Sequence, residues 1–98
     1  MAEIRWTEES YRWLRDIYDY IARDNPAAAK RVIEGIREKA EVLQVFPGIG
    51  YKFRSEENDD IRILLYGHYR IVYRIRNTDD IDILGVFHGA LDISRYLP

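Results

Sequence analysis

The stretch Tyr20-Ile21-Ala22-Arg23-Asp24-Asn25-Pro26-Ala27-Ala28-Ala29 decides the fold, because it ends one helix and begins another within a few residues. Asn25 can cap a helix with its side-chain oxygen, and proline is favoured at the first helical position because no amide hydrogen is needed there. A second helix should therefore begin at Pro26. The turn before it is so short that the two helices are expected to run antiparallel, as a hairpin.

The first helix of this hairpin is predicted to extend from Thr7 to about Asp24. Thr7 can cap its N-terminus, and the two glutamates that follow favour the positive end of the helix dipole. Successive residues turn by about 100°, so the apolar side chains cover about 200° of this helix, roughly twice the face that a surface helix buries. This apolar arc consists of a stripe of Tyr11, Leu14, Tyr18 and Ile21, extended sideways by Trp13, Ile17 and Tyr20.

The second helix is predicted to run from Pro26 to about Leu43, with an apolar stripe of ordinary width, about 100°. The segment Phe46-Pro47-Gly48-Ile49-Gly50 ends it, because proline cannot continue a helix and glycine permits a sharp turn. The remaining chain has the alternation and the turn residues that are typical of strands. Strands are predicted at residues 3–6, 51–54, 61–66, 69–76 and 81–88, and residues 55–60 are predicted to form a charged loop.

These elements predict an α+β fold, with an N-terminal strand followed by an antiparallel helix hairpin that packs on one face of an antiparallel β-sheet. A chain of 98 residues is long enough for one modest core, so a single domain over residues 1–98 is expected. Both helices should lie on the same face of the sheet. The other face is therefore expected to stay open.

The open face of the sheet is predicted to be basic. Arginines project from it if Ile61, Ile63 and Leu65 point towards the helices, where they would pack beside Ile71 and Tyr73. Guanidinium groups on such a face can bind phosphate, lie solvated beside acidic neighbours, or receive the acidic residues of a partner, and all three interpretations stay open. The predicted basic face consists of Arg54, Arg62, Arg70 and Arg74.

His88 stands at the end of the last predicted strand, and one register of the last hairpin places it opposite Arg70 on the open face. A histidine can give and take protons near neutral pH, and arginines can stabilise the charge of a phosphorane. A ribonuclease site of Arg62, Arg70 and His88 is therefore one interpretation. The commoner role of a histidine at a strand end is a hydrogen bond to nearby backbone.

Composition excludes several classes of function. The absence of cysteine removes disulfides, thiolate catalysis and cysteine–zinc sites, and with two histidines we expect no metal and no cofactor. No apolar run approaches the roughly 20 residues that cross a bilayer, and the N-terminus lacks the features of a signal peptide, so the expected location is the cytoplasm, with no membrane contact. The net charge of −2 means that any nucleic-acid contact must depend on a local basic face.

Four segments of the chain occur together in a recognisable order and spacing. They are Tyr-Ile-Ala-Arg-Asp-Asn-Pro-Ala-Ala-Ala at 20–29, Phe-Pro-Gly-Ile-Gly at 46–50, Tyr-Arg-Ile-Val-Tyr-Arg-Ile at 69–75 and Val-Phe-His-Gly-Ala-Leu-Asp-Ile at 86–93. In this order they resemble the RelE/ParE toxins of type II toxin–antitoxin systems, and the ParE-like plasmid stabilization toxins more than the RelE-like ones. The resemblance spans nearly the whole chain.

This resemblance implies a toxin that is wrapped by a cognate antitoxin in a hetero-oligomer, commonly through a helix and an extended strand of the antitoxin. An antitoxin helix would explain the wide apolar arc of the first helix, with Trp13, Ile17 and Tyr20 as its contacts. The alternative is that the domain itself encloses this arc, with tyrosine hydroxyls reaching water.

Two activities are implied by the resemblance: ParE-like members inhibit DNA gyrase without a catalytic centre of their own, and RelE-like members cleave messenger RNA on the ribosome. The negative charge and the lack of a lysine-rich strand favour a gyrase inhibitor, which would reach DNA only through its antitoxin; Lys52 is the only lysine after Lys39. Two alternatives remain. One is an endoribonuclease that uses Arg62, Arg70 and His88, and the other is a member that has lost toxicity and acts only in the antitoxin complex.

Overall fold

The computed structural model describes residues 2–56, 59–89 and 93–97. In chain order the elements are β1 (Ile4–Trp6), α1 (Glu8–Ala22), α2 (Pro26–Glu41), β2 (Tyr51–Glu56), β3 (Asp59–Tyr66), β4 (Tyr69–Ile75) and β5 (Ile81–His88). Short 3₁₀ turns lie at Val42–Gln44 and Ile93–Arg95. The predicted order of an N-terminal strand, a helix hairpin and a run of strands is confirmed.

The strands form one sheet in the order β1-β5-β4-β3-β2. Strands β2 to β5 are antiparallel, as predicted, whereas β1 runs parallel to β5, with Ile4 opposite Ile81. Parallel neighbours need a long connection, and the helix hairpin together with the intervening strands supplies it. The predicted α+β fold is therefore confirmed, with a mixed sheet in place of a purely antiparallel one.

Local capping explains the helix hairpin. The side-chain oxygen of Thr7 accepts a hydrogen bond from the amide of Ser10 at 3.1 Å, and that of Asn25 accepts one from the amide of Ala28 at 3.0 Å. Pro26 occupies the first position of α2, where its ring costs no hydrogen bond. Because the connection is short, α1 and α2 pack side by side on the sheet.

The main core lies between the helix hairpin and one face of the sheet, which we call the helix face. Leu14 of α1 and Ile36 of α2 are buried there against the strands. The strand residues buried in this core are Leu64, Ile71, Tyr73, Ile81, Ile83 and Val86. Each buried aliphatic side chain of this size stabilises the fold by about 2 kcal/mol, so this interface fixes the position of α1 over the sheet.

The opposite face of the sheet, which we call the second face, is not open as predicted. Ile93, in the C-terminal 3₁₀ turn, is 2% exposed and packs with Ile61, Ile63, Val72 and Phe87. The expectation of an open face was wrong because it gave the C-terminal segment no place to pack. A second, smaller core therefore lies on this face.

The predicted phase of β3 is wrong by one residue. Leu64 lies opposite Ile71 and faces the helices, so Ile61, Ile63 and Leu65 point to the second face. The sequence was ambiguous because residues 63–65 are all apolar, so either phase turns at least one apolar side chain of this segment towards the helices. The structure selects the phase in which the two isoleucines enter the smaller core.

Residues 55–60 do not form the predicted charged loop, because the strands continue into it from both sides, to Glu56 and from Asp59. Residues 57 and 58 of that predicted loop lie outside the described residues. The Asp59 carboxylate accepts a hydrogen bond from Nε of Arg74 at 2.9 Å. This ion pair joins β3 to β4 at a position where the charged sequence alone suggested a solvated turn.

Candidate functional site

A groove opens between α1 and one end of the sheet, and we call it the α1 groove. Its volume is about 660 Å³, which is the size of a typical binding cleft. The groove is lined by Trp13, Asp16, Ile17, Tyr20, Ile21, Tyr69, Val86 and His88. The three residues predicted to contact an antitoxin, Trp13, Ile17 and Tyr20, thus lie together in its wall.

The apolar arc of α1 is buried along its centre and exposed on both flanks. Leu14 is 6% exposed and Ser10 is fully buried, whereas Tyr20 is 73% exposed on one flank and Tyr11 is 54% exposed on the other. The stripe of Tyr11, Leu14, Tyr18 and Ile21 is therefore not buried as a unit, since Tyr11 and Tyr18 are exposed. A helix that rests on a sheet buries the middle of its apolar arc, which leaves the flank of Tyr20 facing the groove.

Trp13 forms a wall that the α1 groove shares with the C-terminal segment. Its indole ring packs edge-on against Phe87, with ring centroids 4.5 Å apart, and against Tyr96 at 5.0 Å. Phe87 and Tyr96 stack on each other at 5.7 Å. Trp13 is therefore both a groove residue and part of the smaller core, so its substitution would disturb the fold as well as the groove.

A second cavity lies at the end of the sheet beside the β3–β4 turn, and we call it the turn cavity. Its volume is about 460 Å³, and it is lined by Leu65, Gly67, His68, Tyr69, Arg70, His88 and Gly89. The rings of His68 and His88 lie 6.3 Å apart between centroids, inclined by 27°. Two imidazoles and one guanidinium group thus line a cavity that adjoins the α1 groove.

His88 does not lie opposite Arg70 as predicted, because the register places it opposite Tyr69 and places Phe87 opposite Arg70. The turn after β4 sets Ile75 opposite Ile81, and a bulge at Leu84 then shifts the remaining pairs by one residue. His88 consequently shares the helix face with Tyr69. Arg70 still reaches it from the second face, since its guanidinium donates a hydrogen bond to the carbonyl oxygen of His88 at 3.3 Å.

His68 is a cavity residue that the sequence analysis missed. It occupies the tight turn between β3 and β4 with Gly67, whose φ of +56° lies in the left-handed region. The amide of Gly89 donates a hydrogen bond to the His68 carbonyl at 2.8 Å, which brings the end of β5 to this turn. The sequence did carry a signal for this position. His68 lies in the two-residue turn just before Tyr69, so a register that pairs Tyr69 with His88 would have placed both histidines at the same end of the sheet.

Two members of the predicted basic face, Arg54 and Arg74, lie together on the second face and share one carboxylate. Arg74 approaches Asp59 at 2.9 Å, and Arg54 approaches the other oxygen of the same carboxylate at 3.9 Å. Of the three interpretations of these arginines, the pairing with acidic neighbours within the chain is what the structure contains. Their charges are partly neutralised before any partner arrives.

Arg62 does not belong to this face, because the corrected phase of β3 turns it to the other side of the sheet. Its guanidinium donates to the carboxylate of Asp60 at 3.1 Å and to the carbonyl oxygens of Gly48 at 2.9 Å and Gly50 at 3.3 Å. Arg62 therefore fastens the loop between α2 and β2. The predicted trio of Arg62, Arg70 and His88 is not brought together.

A further arginine pair on the second face also went unnoticed in the sequence. Asp82 is 6% exposed and lies between Arg5, at 3.1 Å, and Arg76, at 3.8 Å. The pairing depends on the parallel contact of β1 with β5, which sets Arg5 opposite Asp82. No local sequence pattern indicates a contact between residues so far apart in the chain.

The structure also bears on metal ions and membranes. Within residues 2–56, 59–89 and 93–97, no three histidine, aspartate or glutamate side chains converge as a metal site would require. In the same described part of the chain, neither helix has the length and apolar character needed to traverse a bilayer.

Comparison with known proteins gives both sequence and structural relatives. Residues 4–93 match the family described as the ParE toxin of type II toxin–antitoxin systems, parDE. The protein Y4kP of Sinorhizobium fredii (strain NBRC 101917 / NGR234), which is described as a toxin candidate, is 36% identical over 86 residues, which are 88% of this chain and 86% of that protein.

Solved structures with the same fold come from toxin–antitoxin systems. A chain of the chromosomal ParDE system from P. aeruginosa has a TM-score of 0.70 and 22% identity, over 90% of this chain and 96% of that chain. A chain of the RelBE2 toxin–antitoxin complex from Mycobacterium tuberculosis has a TM-score of 0.63 and 25% identity, over 89% of this chain and 96% of that chain. A chain of the archaeal RelE–RelB complex from Pyrococcus horikoshii has a TM-score of 0.62 and 18% identity, over 93% of this chain and 98% of that chain. The fold is therefore shared with chains of both ParDE and RelBE systems.

Proposed function

Since this chain belongs to the ParE toxin family and is the toxin component of a type II toxin–antitoxin system, we propose that it inhibits DNA gyrase and that its cognate antitoxin neutralises it by binding in the α1 groove. The proposed location is the cytoplasm, where gyrase works. Contact with DNA would be indirect, through the antitoxin.

The observation that carries the gyrase proposal is the separation of Arg62 from Arg70 and His88. Cleavage of RNA needs a proton-transferring group and cations that converge on one phosphate. Arg62 is instead engaged with Asp60 and with two loop carbonyls on the other side of the sheet. This arrangement supports an inhibitor that acts by binding rather than a nuclease built on that trio.

The antitoxin proposal is supported by the composition of the α1 groove. Amphipathic helices bind to grooves through apolar anchors spaced three or four residues apart, and the groove wall offers Ile17 and Tyr20 at its surface. Tyr20 is 73% exposed, so its ring is accessible to the apolar face of such a helix. The similar solved structures belong to ParDE and RelBE toxin–antitoxin systems, which supports the same kind of partner.

A ribonuclease stays the second candidate, because the turn cavity holds two imidazoles beside Arg70. Two histidines could act as acid and base while one arginine stabilises negative charge on a phosphate. The third candidate is a family member that has lost toxicity and acts only in its antitoxin complex. This function requires no catalytic group in the turn cavity.

The purified chain, added to a DNA gyrase supercoiling reaction and separately to ribosomes translating a defined message, tests the three candidates. Inhibited supercoiling with an intact message, reversed by premixing with the antitoxin, is the expected result. A cleaved message that stays intact with the His68→Ala or His88→Ala variant would overturn the gyrase proposal in favour of a ribonuclease. No effect in either assay, with the antitoxin still bound, would overturn it in favour of the non-toxic member.

A further inference from the structure

The α1 groove and the turn cavity are adjacent, because Tyr69 and His88 line both. The ring of Tyr69 meets the ring of His88 edge-on, with centroids 6.0 Å apart. A segment that lies in the groove and extends past these two side chains would therefore reach the turn cavity.

The two compartments differ in chemistry. The α1 groove is mainly apolar, with one carboxylate, that of Asp16. The turn cavity holds His68, Arg70 and His88, and no acidic side chain is present among its described lining residues. A segment that fits both compartments should therefore carry apolar side chains at one end and negative charge at the other.

We infer that the antitoxin segment in the α1 groove continues into the turn cavity and places a carboxylate between Arg70 and the two histidines there. This inference rests on the proposed function, in which the groove is the antitoxin site. A carboxylate can accept hydrogen bonds from a guanidinium group and from two imidazolium groups, and such charge-assisted bonds are about twice as strong as neutral ones. The partner is thus an amphipathic segment with an acidic residue just beyond its apolar anchors.

Antitoxin binding should then depend on pH. The titratable and charged groups that line the two cavities around His88 are Asp16, Tyr20, His68, Tyr69 and Arg70. A carboxylate that enters this set favours the protonated form of the imidazoles, so binding takes up protons near neutral pH. Affinity is expected to be highest in mildly acidic solution and to fall as the pH rises.

Calorimetric titration of the full chain with its cognate antitoxin, at pH 6, 7 and 8 in two buffers of different ionisation enthalpy, tests this inference. Affinity should increase about tenfold from pH 8 to pH 6, with net proton uptake, because a histidine–carboxylate contact is gained. The double variant His68→Gln/His88→Gln should remove the pH dependence. Arg70→Gln should weaken binding about tenfold at every pH, and Arg70→Lys, which keeps the charge, should restore most of it.

The groove variant Tyr20→Glu separates failure of this inference from failure of the proposed site. If Tyr20→Glu weakens binding while the wild-type affinity is independent of pH and Arg70→Gln has no effect, the carboxylate inference is overturned and the groove proposal stands. If Tyr20→Glu has no effect, the groove itself is not the antitoxin site and both proposals fail. If the histidine variants bind antitoxin normally but no longer cleave message, the cavity serves RNA and the inference is overturned.

Discussion

The hydroxyl of Tyr73 donates a hydrogen bond to the carbonyl oxygen of Pro47 at 2.7 Å. The Tyr73 hydroxyl oxygen in turn accepts a hydrogen bond from the amide of Gly50 at 3.0 Å. The Tyr73 side chain is fully buried, and burial raises the pKa of its hydroxyl above 10.0, against the opposing effect of the Gly50 hydrogen bond. One strand residue of the main core therefore holds both ends of the turn that follows α2.

The Tyr73→Phe substitution should lower the free energy of unfolding by about 1–3 kcal/mol, because it leaves a buried amide and a carbonyl without their partner. Urea denaturation at pH 7 measures this change. Tyr20→Phe is the matched control, since the Tyr20 side chain is 73% exposed and its hydroxyl reaches water. Equal stability of the two variants would show that the Tyr73 hydroxyl contributes nothing.

The raised pKa of Tyr73 predicts a loss of stability in alkaline solution. The folded chain keeps this hydroxyl neutral at a pH where the unfolded chain ionises it, so its contribution is complete below about pH 10 and is lost as the pH rises through the folded pKa. Unfolding free energies measured between pH 8 and 11 should therefore decline more steeply for the wild type than for Tyr73→Phe. Parallel curves would contradict the assignment.

The two flanks of α1 offer a matched pair of variants for the antitoxin proposal. Tyr20 and Tyr11 lie on opposite flanks, and both are more than half exposed, at 73% and 54%. Tyr20→Glu should weaken antitoxin binding at least tenfold, on the order of 1.4 kcal/mol, because it places a charge among the apolar anchors. Tyr11→Glu should leave the affinity within about twofold. An affinity titration of both variants, with melting curves to verify folding, makes the comparison; equal effects would argue against the groove.

The contacts of Arg62 predict a structural role. Arg62→Met removes one ion pair and two hydrogen bonds to loop carbonyls, so it should lower the unfolding free energy by about 1–3 kcal/mol without changing gyrase inhibition by the folded chain. Arg54→Met, which breaks an ion pair of 3.9 Å, should cost less than about 1 kcal/mol. Chemical denaturation and the supercoiling assay report the two properties separately. A loss of inhibition in folded Arg62→Met would assign this residue to the target surface.

The helix hairpin could be predicted because its determinants are local. Thr7, Asn25 and Pro26 act within three residues of their own positions, and the structure contains both caps. The phase of β3 could not be predicted, because the choice depends on Ile93, which covers the second face from the other end of the chain. The parallel pairing of β1 with β5 is equally remote in sequence.

The candidate site follows the same division. Trp13, Ile17 and Tyr20 lie together because a helix brings residues three or four apart to one side. The predicted basic face draws on several strands, so its membership depends on the phase of each strand. Because the phase of β3 was predicted wrongly, Arg62 was assigned to the wrong side of the sheet. The bulge at Leu84 shifted His88 in a similar way. The register between strands is not encoded in any single segment. The sequence therefore could not show which charged side chains of different strands lie together.

Trp13 gives the α1 groove an optical reporter of its own. The chain contains two tryptophans, and the other, Trp6, lies 6.3 Å from Tyr11 rather than in the groove. In a Trp6→Phe background all indole emission would come from a ring that touches the groove on one side and Tyr96 on the other. Entry of a partner would exclude water from that ring and shift its emission to shorter wavelength. The rate of antitoxin capture and release could then be followed without any label.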